Sequence, residues 1–411
     1  MSAASHSVID PVELTRDLIR IPSVTPADEG AMDVLERTLT GLGFTCRRMV
    51  FEGPTGVGHD ARIENLYARR GTASPNLCFA GHTDVVPTGD VAAWTAAPFE
   101  GETRDGILYG RGAVDMKGGI AAWVAAVSRI LAEGDVPGSL SFLITGDEEG
   151  PALHGTKRVV EALMAEGEVI DACVVGEPSS AHHLGDMIKV GRRGSLNTWI
   201  TVHGKQGHVA YPDRAANPAP VIAKLLARLD AHVLDDGYPS LDANAPLAER
   251  DCVSVGFPPS NLEITTIDVG NPATNIIPAE AKARLNIRFN PTHTGDGLID
   301  WLNREAGLVQ AETGLRIELT HMCSGEAFLT EPGVFVTAVQ DAVEATLGRR
   351  PEASTTGGTS DARFIRALCP VLELGLVGQT MHQVDERVPE AELRALTDAY
   401  QAVIGTVFER L

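Results

Sequence analysis

Short apolar runs alternate with helical stretches over the first 190 residues of the chain. Four runs predict strands, each ending at a glycine or a polar residue: 65–68, 77–80, 140–144 and 172–175. Helical spacing occupies the intervals, over 12–42 with breaks at Pro22 and Pro26, over 117–131 and over 155–165. Strands of low polarity that alternate with helices indicate an α/β sheet covered on both faces, in which function gathers at the carboxyl ends of the strands.

The pattern changes after about Gly191. The next elements predicted are a strand, a helix, two strands, a helix and a strand, at 195–202, 216–234, 254–269, 281–289, 297–313 and 315–322. This β-α-β-β-α-β order is typical of a ferredoxin-like unit, which inserted into an α/β domain would serve as a lid or an oligomerisation module. From about Gly325 the α/β pattern resumes, with a helix at 334–347, a strand at 371–376 and a terminal helix at 389–411.

The chain is acidic, with 34 basic and 55 acidic residues among 411 and a net charge of −21. A nucleic-acid binder or a protein held on anionic membranes needs positive potential, so neither partner is expected, and an anionic ligand must be held by a local group of Arg or Lys. We expect a cytoplasmic protein, because the N-terminus lacks a signal-peptide pattern and no run of 18 apolar residues exists. The six cysteines form no CxxC pair, which favours reduced thiols.

Candidate metal ligands follow the predicted strands. His82 and Asp84 come directly after 77–80 and point to the same side of an extended chain. A carboxylate beside an imidazole can fix the tautomer of a metal-ligating histidine. Glu177 follows 172–175 in the same way.

Three further positions have ordinary alternatives. Asp115 precedes the helix predicted at 117–131, so it is either a helix N-cap or a carboxylate able to bridge two cations. Asp147, Glu148 and Glu149 follow 140–144 and form either a solvated loop or a cluster whose repulsion a cation offsets. His382 alone would be unremarkable, but it too follows a predicted strand.

Together these residues give two histidines and at least four carboxylates along one sheet edge, without thiolates. Nitrogen and oxygen donors suit Zn²⁺, Co²⁺ or Mn²⁺. Because the set contains no thiolate, it does not indicate an iron–sulfur cluster or a cysteine-based structural zinc site. One tetrahedral ion needs fewer ligands, so the set predicts two ions that share a carboxylate.

The combined motifs resemble the di-zinc aminoacylase and carboxypeptidase-type metallohydrolases over nearly the whole chain. The resemblance rests on five stretches: His82-x-Asp84, 110–118, Asp147-Glu148-Glu149-Gly150, Gly176-Glu177-Pro178 and His382. It implies a zinc-exopeptidase-like α/β/α catalytic domain at 1–192 and 323–411. It also implies an inserted ferredoxin-like α+β lid and dimerisation domain at 193–322, and a homodimer formed through that lid.

The resemblance also implies roles for single residues. His82 and Glu177 would hold one zinc, Glu149 and His382 the other, and Asp115 would bridge them, with Co²⁺ able to substitute. Asp84 would orient His82, and Glu148 would act as general base and then general acid. His208 would stabilise the oxyanion in the partner subunit's site, supported by Asn275. The residues expected to contact the substrate are Arg192, Ser195, Tyr211, Asn275, Arg288, Gly358 and Thr359.

Within the family, the stretches 191–195, 207–212 and 356–364 are similar to the branch that removes a succinyl group from a diamino diacid. Such a substrate carries three carboxylates, which Arg side chains suit, although Arg192 and Arg193 are alternatively a solvated turn pair. The other possibilities are an acetylornithine deacetylase, an aminoacylase or a dipeptidase of the same family, or a binding protein that kept the fold and lost the chemistry. Gly378 departs from the Asn found there in close relatives, which bears on fine substrate preference. We assign no role to the acidic stretch 233–249.

Overall fold

The structure is a computed structural model that describes residues 8–54, 60–237 and 256–411. Its helices are α1 (Pro11–Ile19), α2 (Ala31–Gly41), α3 (Lys117–Glu133), α4 (Thr156–Glu166), α5 (Ala219–Asp230), α6 (Gly295–Thr313), α7 (Val334–Leu347), α8 (Ala362–Ile365) and α9 (Glu390–Arg410). Its strands are β1 (Thr45–Pro54), β2 (Asp60–Arg70), β3 (Asn76–His82), β4 (Thr103–Arg104), β5 (Ile107–Tyr109), β6 (Ser139–Thr145), β7 (Ala172–Val175), β8 (Met187–Lys189), β9 (Gly191–Arg192), β10 (Gly194–His203), β11 (Gly207–His208), β12 (Asn261–Asp268), β13 (Ile276–Ile277), β14 (Glu280–Phe289), β15 (Ile317–Gly325), β16 (Phe328–Leu329), β17 (Glu352–Ser354), β18 (Val371–Glu373) and β19 (Arg387–Pro389).

The larger sheet has eight strands in the order β1-β2-β6-β3-β7-β18-β8-β17. Its centre is parallel, since β3 pairs in parallel with both β6 and β7, and β7 pairs in parallel with β18. The β1–β2 ribbon joins β6 antiparallel at one side of the sheet. The parallel centre brings the carboxyl ends of β3, β6 and β7 to the same edge.

Helices cover both faces of this sheet. Along β3, Leu77 and Phe79 belong to a core shared with α1, α2, α3, α7 and α9, whereas Cys78 and Ala80 belong to a core shared with α4 and α8. Both faces are therefore apolar, which explains why β3, β6 and β7 read as continuous apolar runs. Helix α3 is buried almost all round because it packs against α1 and α9 as well as the sheet. The predicted α/β/α architecture is confirmed.

The second sheet has four antiparallel strands in the order β12-β14-β10-β15. Helices α5 and α6 share an apolar core with it, and every second residue of β14 is buried while the residues between are exposed or half-buried. Chain order β10-α5-β12-β14-α6-β15 matches the predicted ferredoxin-like unit. The chain leaves the larger sheet after β8 and enters the four-stranded sheet at β10. It passes through β9 on the way out and through β16 on the way back, and these two strands pair in a ribbon of their own. The domain boundaries at 192/193 and 322/323 stay a prediction.

Several elements differ from the expectation. The β1 strand was not predicted, because its positions are mostly half-exposed and carry no apolar run. The strand predicted over 254–269 begins at Asn261, and residues 254 and 255 lie outside the described residues. The strand predicted over 371–376 ends at Glu373. Most of the stretch 233–249 also lies outside the described residues.

Five cysteines lie within the described residues, and all are free thiols. Cys78, Cys173 and Cys369 are buried, Cys46 is half-buried and Cys323 is exposed. Cys252 lies outside the described residues. In the part of the chain that the structure describes, no helix combines the length and apolar character needed to cross a bilayer.

Substitution of Phe79 tests how much the core beneath His82 contributes to stability. Its ring stacks on Trp123 at 4.8 Å and meets Phe142 and Tyr400 edge-on, and none of it is exposed. We expect Phe79→Ala to lower the free energy of unfolding by about 3–5 kcal/mol, because the cavity cannot collapse in a close-packed core. Urea denaturation measures this loss, with Val169→Ala at an exposed position as the control. Equal, small losses in both variants would show that this aromatic cluster contributes little.

Candidate metal centre

Five strand ends and loops of the larger sheet bring the candidate ligands together. His82 is the last residue of β3, Glu177 lies two residues after β7, and Glu149 lies four residues after β6. Asp115 lies two residues before α3, and His382 follows β18 on a short loop. Because β3, β6 and β7 run parallel, residues distant in the chain converge at one edge.

Glycines allow this convergence. A Cβ at Gly119, on the first turn of α3, would lie 2.5 Å from the carbonyl oxygen of Gly176. A Cβ at Gly81 would lie 2.6 Å from the side chain of Met116. Any larger residue at either position would push the Asp115 loop away from the β3 and β7 ends, so these glycines set the distance between ligands.

The ligand side chains form a continuous chain of short contacts. Asp115 lies between the two histidines, with Oδ1 3.2 Å from His82 Nε2 and Oδ2 3.1 Å from His382 Nε2. Glu177 Oε1 is 3.7 Å from His82 Nε2, and Glu149 Oε1 is 2.8 Å from His382 Nε2. One carboxylate thus presents a different oxygen to each histidine, as a bridging ligand does.

Donor atoms cluster in three sets whose members all lie within 4.8 Å of one another: His82, Asp115 and Glu177; Asp115, Glu149 and His382; and His82, Glu148 and Glu149. The first two sets share Asp115 and consist of imidazole nitrogen and carboxylate oxygen. These donors fit two divalent cations of the Zn²⁺, Co²⁺ or Mn²⁺ type. The N-cap alternative for Asp115 does not hold, because Met116 occupies the cap position of α3 without a side-chain cap bond.

The pKa values of Glu177, His82 and His382 are raised, because negative charge is buried in excess at this site. Burial, followed by Asp115 and Glu148, raises the pKa of Glu177 well above its usual range. Burial alone would lower the pKa of His82, but Asp115, Glu177 and Asp84 raise it well above the ordinary value. Hydrogen bonds to Asp115 and Glu149 raise the pKa of His382 to about 10. Each shift favours the protonated form and so reduces the net negative charge, which a metal cation would also do.

Glu148 stands slightly apart from the other acids. Its Oε1 lies 4.0 Å from Arg363 Nη1, and among the described residues no ion pair joins it to His382. Burial, Asp361 and Glu149 raise the pKa of Glu148 well above its usual range. A raised pKa makes the carboxylate a stronger proton acceptor, which suits a general base that later acts as an acid. Glu148 also shares a donor set with His82 and Glu149.

Asp84 is fully buried beside His82, but its carboxylate does not make the closest contact to the ring. His82 Nδ1 donates to the backbone carbonyl of Asp84 at 2.8 Å, and the carboxylate oxygen is 3.6 Å away. The carboxylate instead accepts the backbone N–H groups of Glu148 at 3.2 Å and Glu149 at 3.0 Å. Asp84 therefore fixes the His82 tautomer through its main chain and holds the 148–149 loop through its side chain.

A buried ion pair not identified from the sequence holds two ligand loops together. Arg111 and Glu386 are at most 2% exposed, and Arg111 Nη1 donates to Glu386 Oε2 at 2.6 Å. Glu386 Oε1 accepts the backbone N–H of Val114 at 3.0 Å and of Asp115 at 3.2 Å. Arg111 Nη2 also donates to the carbonyl of His382 at 3.4 Å. Glycines around Arg111 and the acids after His382 were visible in the sequence, but their pairing over 275 residues was not.

Three of the expected substrate residues lie in the cleft above the ligands. This cleft, of about 500 Å³, is lined by Arg192, Gly358 and Thr359 together with Asp115, Glu148, Glu149, Glu177 and His382. Arg192 is already paired: Nε donates to Glu373 Oε1 at 2.9 Å, Nη2 contacts Glu373 Oε2, and Nη1 donates to the carbonyl of Thr356 at 3.0 Å. The alternative of a solvated turn does not describe Arg192, which is 8% exposed.

Ser195 and Arg288 lie on the four-stranded sheet and face each other across β10 and β14. Ser195 is buried and its hydroxyl accepts from Asn286 at 3.2 Å. Arg288 is half-buried, and burial followed by the nearby Arg193 lowers its pKa. Neither residue is among the described residues that line the cleft.

His208, Tyr211 and Asn275 form a separate exposed group on the short β11–β13 ribbon. The Val209 N–H donates to the carbonyl of Asn275 at 3.1 Å, and the rings of His208 and Tyr211 are 5.8 Å apart. All three side chains are exposed, and none of them lines the cleft of its own chain among the residues described. The structure thus groups them with one another and not with the ligands.

Comparison with known proteins gives a consistent result. The sequence model of Peptidase family M20/M25/M40 matches residues 78–406. The chain is 64% identical to a succinyl-diaminopimelate desuccinylase of Caulobacter vibrioides over 97% of this chain and 96% of that protein. It is 61% identical to the enzyme of the same name from Phenylobacterium zucineum, over 99% of this chain and 100% of that protein.

Solved structures share the fold at low sequence identity. The M20 family metallo-carboxypeptidase Sso-CP2 of Sulfolobus solfataricus superposes with a TM-score of 0.78 at 16% identity, covering 98% of this chain and 99% of that one. The YXEP protein of Bacillus subtilis, a dinuclear metal-binding peptidase of the M20 family, superposes with a TM-score of 0.69 at 15% identity, covering 98% of each chain.

If the cluster binds divalent cations, metal should stabilise the fold. We expect Zn²⁺ added to chelator-treated protein to raise the melting temperature. At a hundredfold excess over Kd, binding should add roughly 3 kcal/mol to the free energy of unfolding. Asp115→Asn should remove most of this shift, because it weakens the carboxylate that faces both histidines. Asp398→Asn, at an exposed acid on α9, is the matched control. An equal zinc-dependent shift in the two variants would place the bound metal elsewhere. Differential scanning calorimetry measures the melting temperature of each variant with and without Zn²⁺.

Proposed function

This chain belongs to peptidase family M20/M25/M40, and on that premise we propose that it hydrolyses the amide of N-succinyl-L,L-2,6-diaminopimelate to succinate and L,L-2,6-diaminopimelate. It is a metal-dependent hydrolase, so the expectation of an enzyme is confirmed. The alternative of a binding protein that kept the fold and lost the chemistry is not supported. Full-length relatives at 52–64% identity carry the desuccinylase name, which supports this substrate over an acetylated amino acid or a dipeptide. The observation that carries the proposal is the complete ligand set within this desuccinylase-like sequence.

We propose two Zn²⁺ ions as the cofactor, replaceable by Co²⁺. His82 and Glu177 would hold one ion, Glu149 and His382 the other, and Asp115 would bridge them. When bound, the pair would polarise the scissile carbonyl and make water nucleophilic near neutral pH.

The chain's own groups would manage the proton. Glu148 would take a proton from the attacking water and hold it, which the raised pKa of its buried carboxyl favours. The same carboxylic acid would then give the proton to the amide nitrogen, so that the amine leaves neutral as the C–N bond breaks. Asp84, by accepting the N–H groups of Glu148 and Glu149, would keep the base aimed at the reacting water.

The lid and the dimer belong to the same proposal. Residues 193–322 would form a lid and dimerisation domain, carrying His208, Tyr211 and Asn275 to the cleft of the partner subunit. Two features support this: the three residues are exposed, and they lie outside the cleft of their own chain. His208 would donate to the developing oxyanion. Arg192, Ser195, Arg288, Gly358 and Thr359 would contact the substrate, and the reaction would take place in the cytoplasm.

A succinate-release assay tests the reaction and the base together. Zinc-loaded wild type should release succinate from N-succinyl-L,L-2,6-diaminopimelate faster than it releases acetate from N-acetylornithine. Glu148→Gln should lower kcat by about 10²–10⁴-fold while two zinc ions per chain remain, because this residue moves protons and is not a ligand. Glu149→Gln should lose zinc as well as activity.

Metal analysis of each sample separates the outcomes. Equal zinc loss in the Glu148 and Glu149 variants would contradict their division of labour. Acetate release faster than succinate release by the wild type would contradict the substrate.

A mixing experiment tests the action of His208 across the dimer. Glu148→Gln and His208→Ala should each be inactive alone. In a mixed dimer, the site that keeps Glu148 receives an intact His208 from its neighbour, so random exchange restores about one quarter of all sites.

Subunits are exchanged by mild denaturation and refolding, and succinate release is then measured. Mixtures of wild type with each variant give the reference activity. Absence of restored activity in dimers shown by mass spectrometry to be mixed would mean that His208 serves its own chain.

A further inference from the structure

Arg363 carries a buried positive charge whose donor nitrogens lack acceptors. It lies on α8, within the stretch 356–364, and its side chain is 6% exposed. Its Nε and Nη1 atoms are buried and have no hydrogen-bond partner among the described residues. Burying the donors of a charged group without acceptors is costly, so this arrangement needs a reason beyond packing.

Glu148 is the acid within reach of this guanidinium. Its Oε1 lies 4.0 Å from Arg363 Nη1, and no other carboxylate among the described residues comes that close to Arg363. The separation exceeds a charge-assisted hydrogen bond by roughly 1 Å. The guanidinium also lies over the ring of Phe364, 4.4 Å from its centroid, which restricts how it can turn. A small displacement of Arg363 toward Glu148 would therefore satisfy both groups.

The stem of Arg363 packs against a connection between the two sheets. Gly325 is the last residue of β15, where the chain leaves the four-stranded sheet. A Cβ at Gly325 would lie 2.5 Å from Arg363 Cδ and 3.4 Å from Nε, so the arginine crosses directly over the glycine backbone. Gly325 pairs with Ser195, close to where the chain enters the same sheet. Rotation of residues 193–322 about these two connections would displace the Arg363 stem.

We propose that Arg363 is a positioning residue that couples movement of residues 193–322 to the placement of Glu148. Closure of the lid would turn the connection at Gly325, push the Arg363 stem and bring its guanidinium within hydrogen-bond distance of the Glu148 carboxylate. The base would then be aimed at the reacting water when the substrate is enclosed. The inference rests on the proposed function, in which residues 193–322 form the lid and Glu148 moves the proton.

A double-mutant cycle on kcat tests whether Arg363 acts through Glu148. Arg363→Met should lower kcat about 10–100-fold, because a small misplacement of a catalytic group costs this much, while KM and zinc content stay near the wild-type values. In a Glu148→Gln background the same substitution should change the residual kcat by less than about twofold, since the group it positions is already lost. Arg363→Lys, which keeps the charge, should recover part of the loss. Succinate release and metal analysis give these quantities.

Gly325→Ala tests the connection without removing the arginine. The added methyl group would displace the Arg363 stem, so kcat should fall in this variant, and adding Arg363→Met to it should cause little further loss. If Arg363→Met melts early, Gly325→Ala takes its place in the cycle with Glu148→Gln.

Arg366 offers a matched control. It directly follows α8, donates from Nη1 to the carbonyl of Ala327 at 2.6 Å and lies over the ring of Phe328, so it also ties this segment to the chain returning from the lid. Among the described residues it makes no ion pair with Glu148. Arg366→Met should therefore keep the wild-type kcat, even if its melting temperature falls.

Three results would overturn the proposal. Independent, additive losses in the Glu148→Gln background would mean that Arg363 does not act through the base. A raised KM with unchanged kcat would make Arg363 a substrate-binding residue. Equal losses of kcat in the Arg363→Met and Arg366→Met variants would leave Arg363 a structural residue. If the wild type hydrolyses N-acetylornithine and not the succinylated substrate, the proposed reaction is wrong, and the same kcat ratios measured on N-acetylornithine still decide the role of Arg363.

Discussion

The repulsion among buried carboxylates is the constraint around which this molecule is organised. Asp84, Asp115, Glu148, Glu149 and Glu177 converge on one end of the sheet, where water is scarce and like charges meet at short range. Such a cluster is stable only when positive charge lies among its members. His82 and His382 supply part of it, and the donor sets around Asp115 are suited to hold metal cations that would supply more.

Neighbouring groups hold these acids at working distances. Backbone N–H groups satisfy Asp84, the Arg111–Glu386 pair ties the Asp115 loop to the His382 loop, and missing side chains at Gly81 and Gly119 leave room for close approach. None of these contacts touches a reacting atom. They matter because a ligand displaced by a fraction of an ångström no longer meets its neighbours.

Local pattern was sufficient for most of the fold and for the side chains that converge at the edge of the larger sheet. Apolar runs identified β3, β6 and β7, and chemistry placed just after each run identified His82, Glu148, Glu149 and Glu177, since strand ends are where such sheets carry function. The same logic missed β1, whose half-exposed positions lack a clear period. It also missed Glu373 and Glu386, because their roles come from partners that only the folded chain brings close. Arg192 was expected to be free for ligand, and its pairing with Glu373 could not be read from residues 181 positions apart.

The pairing of Arg111 with Glu386 has a consequence for the order in which the protein matures. Glu386 and His382 lie within the last 30 of 411 residues, yet they complete the surroundings of Asp115, which is synthesised much earlier. A nascent chain on the ribosome therefore presents an incomplete set of donors until translation is nearly finished. A donor set that includes His382 is therefore complete only once the C-terminal segment has been made and helix α9 can pack against α3 and α7.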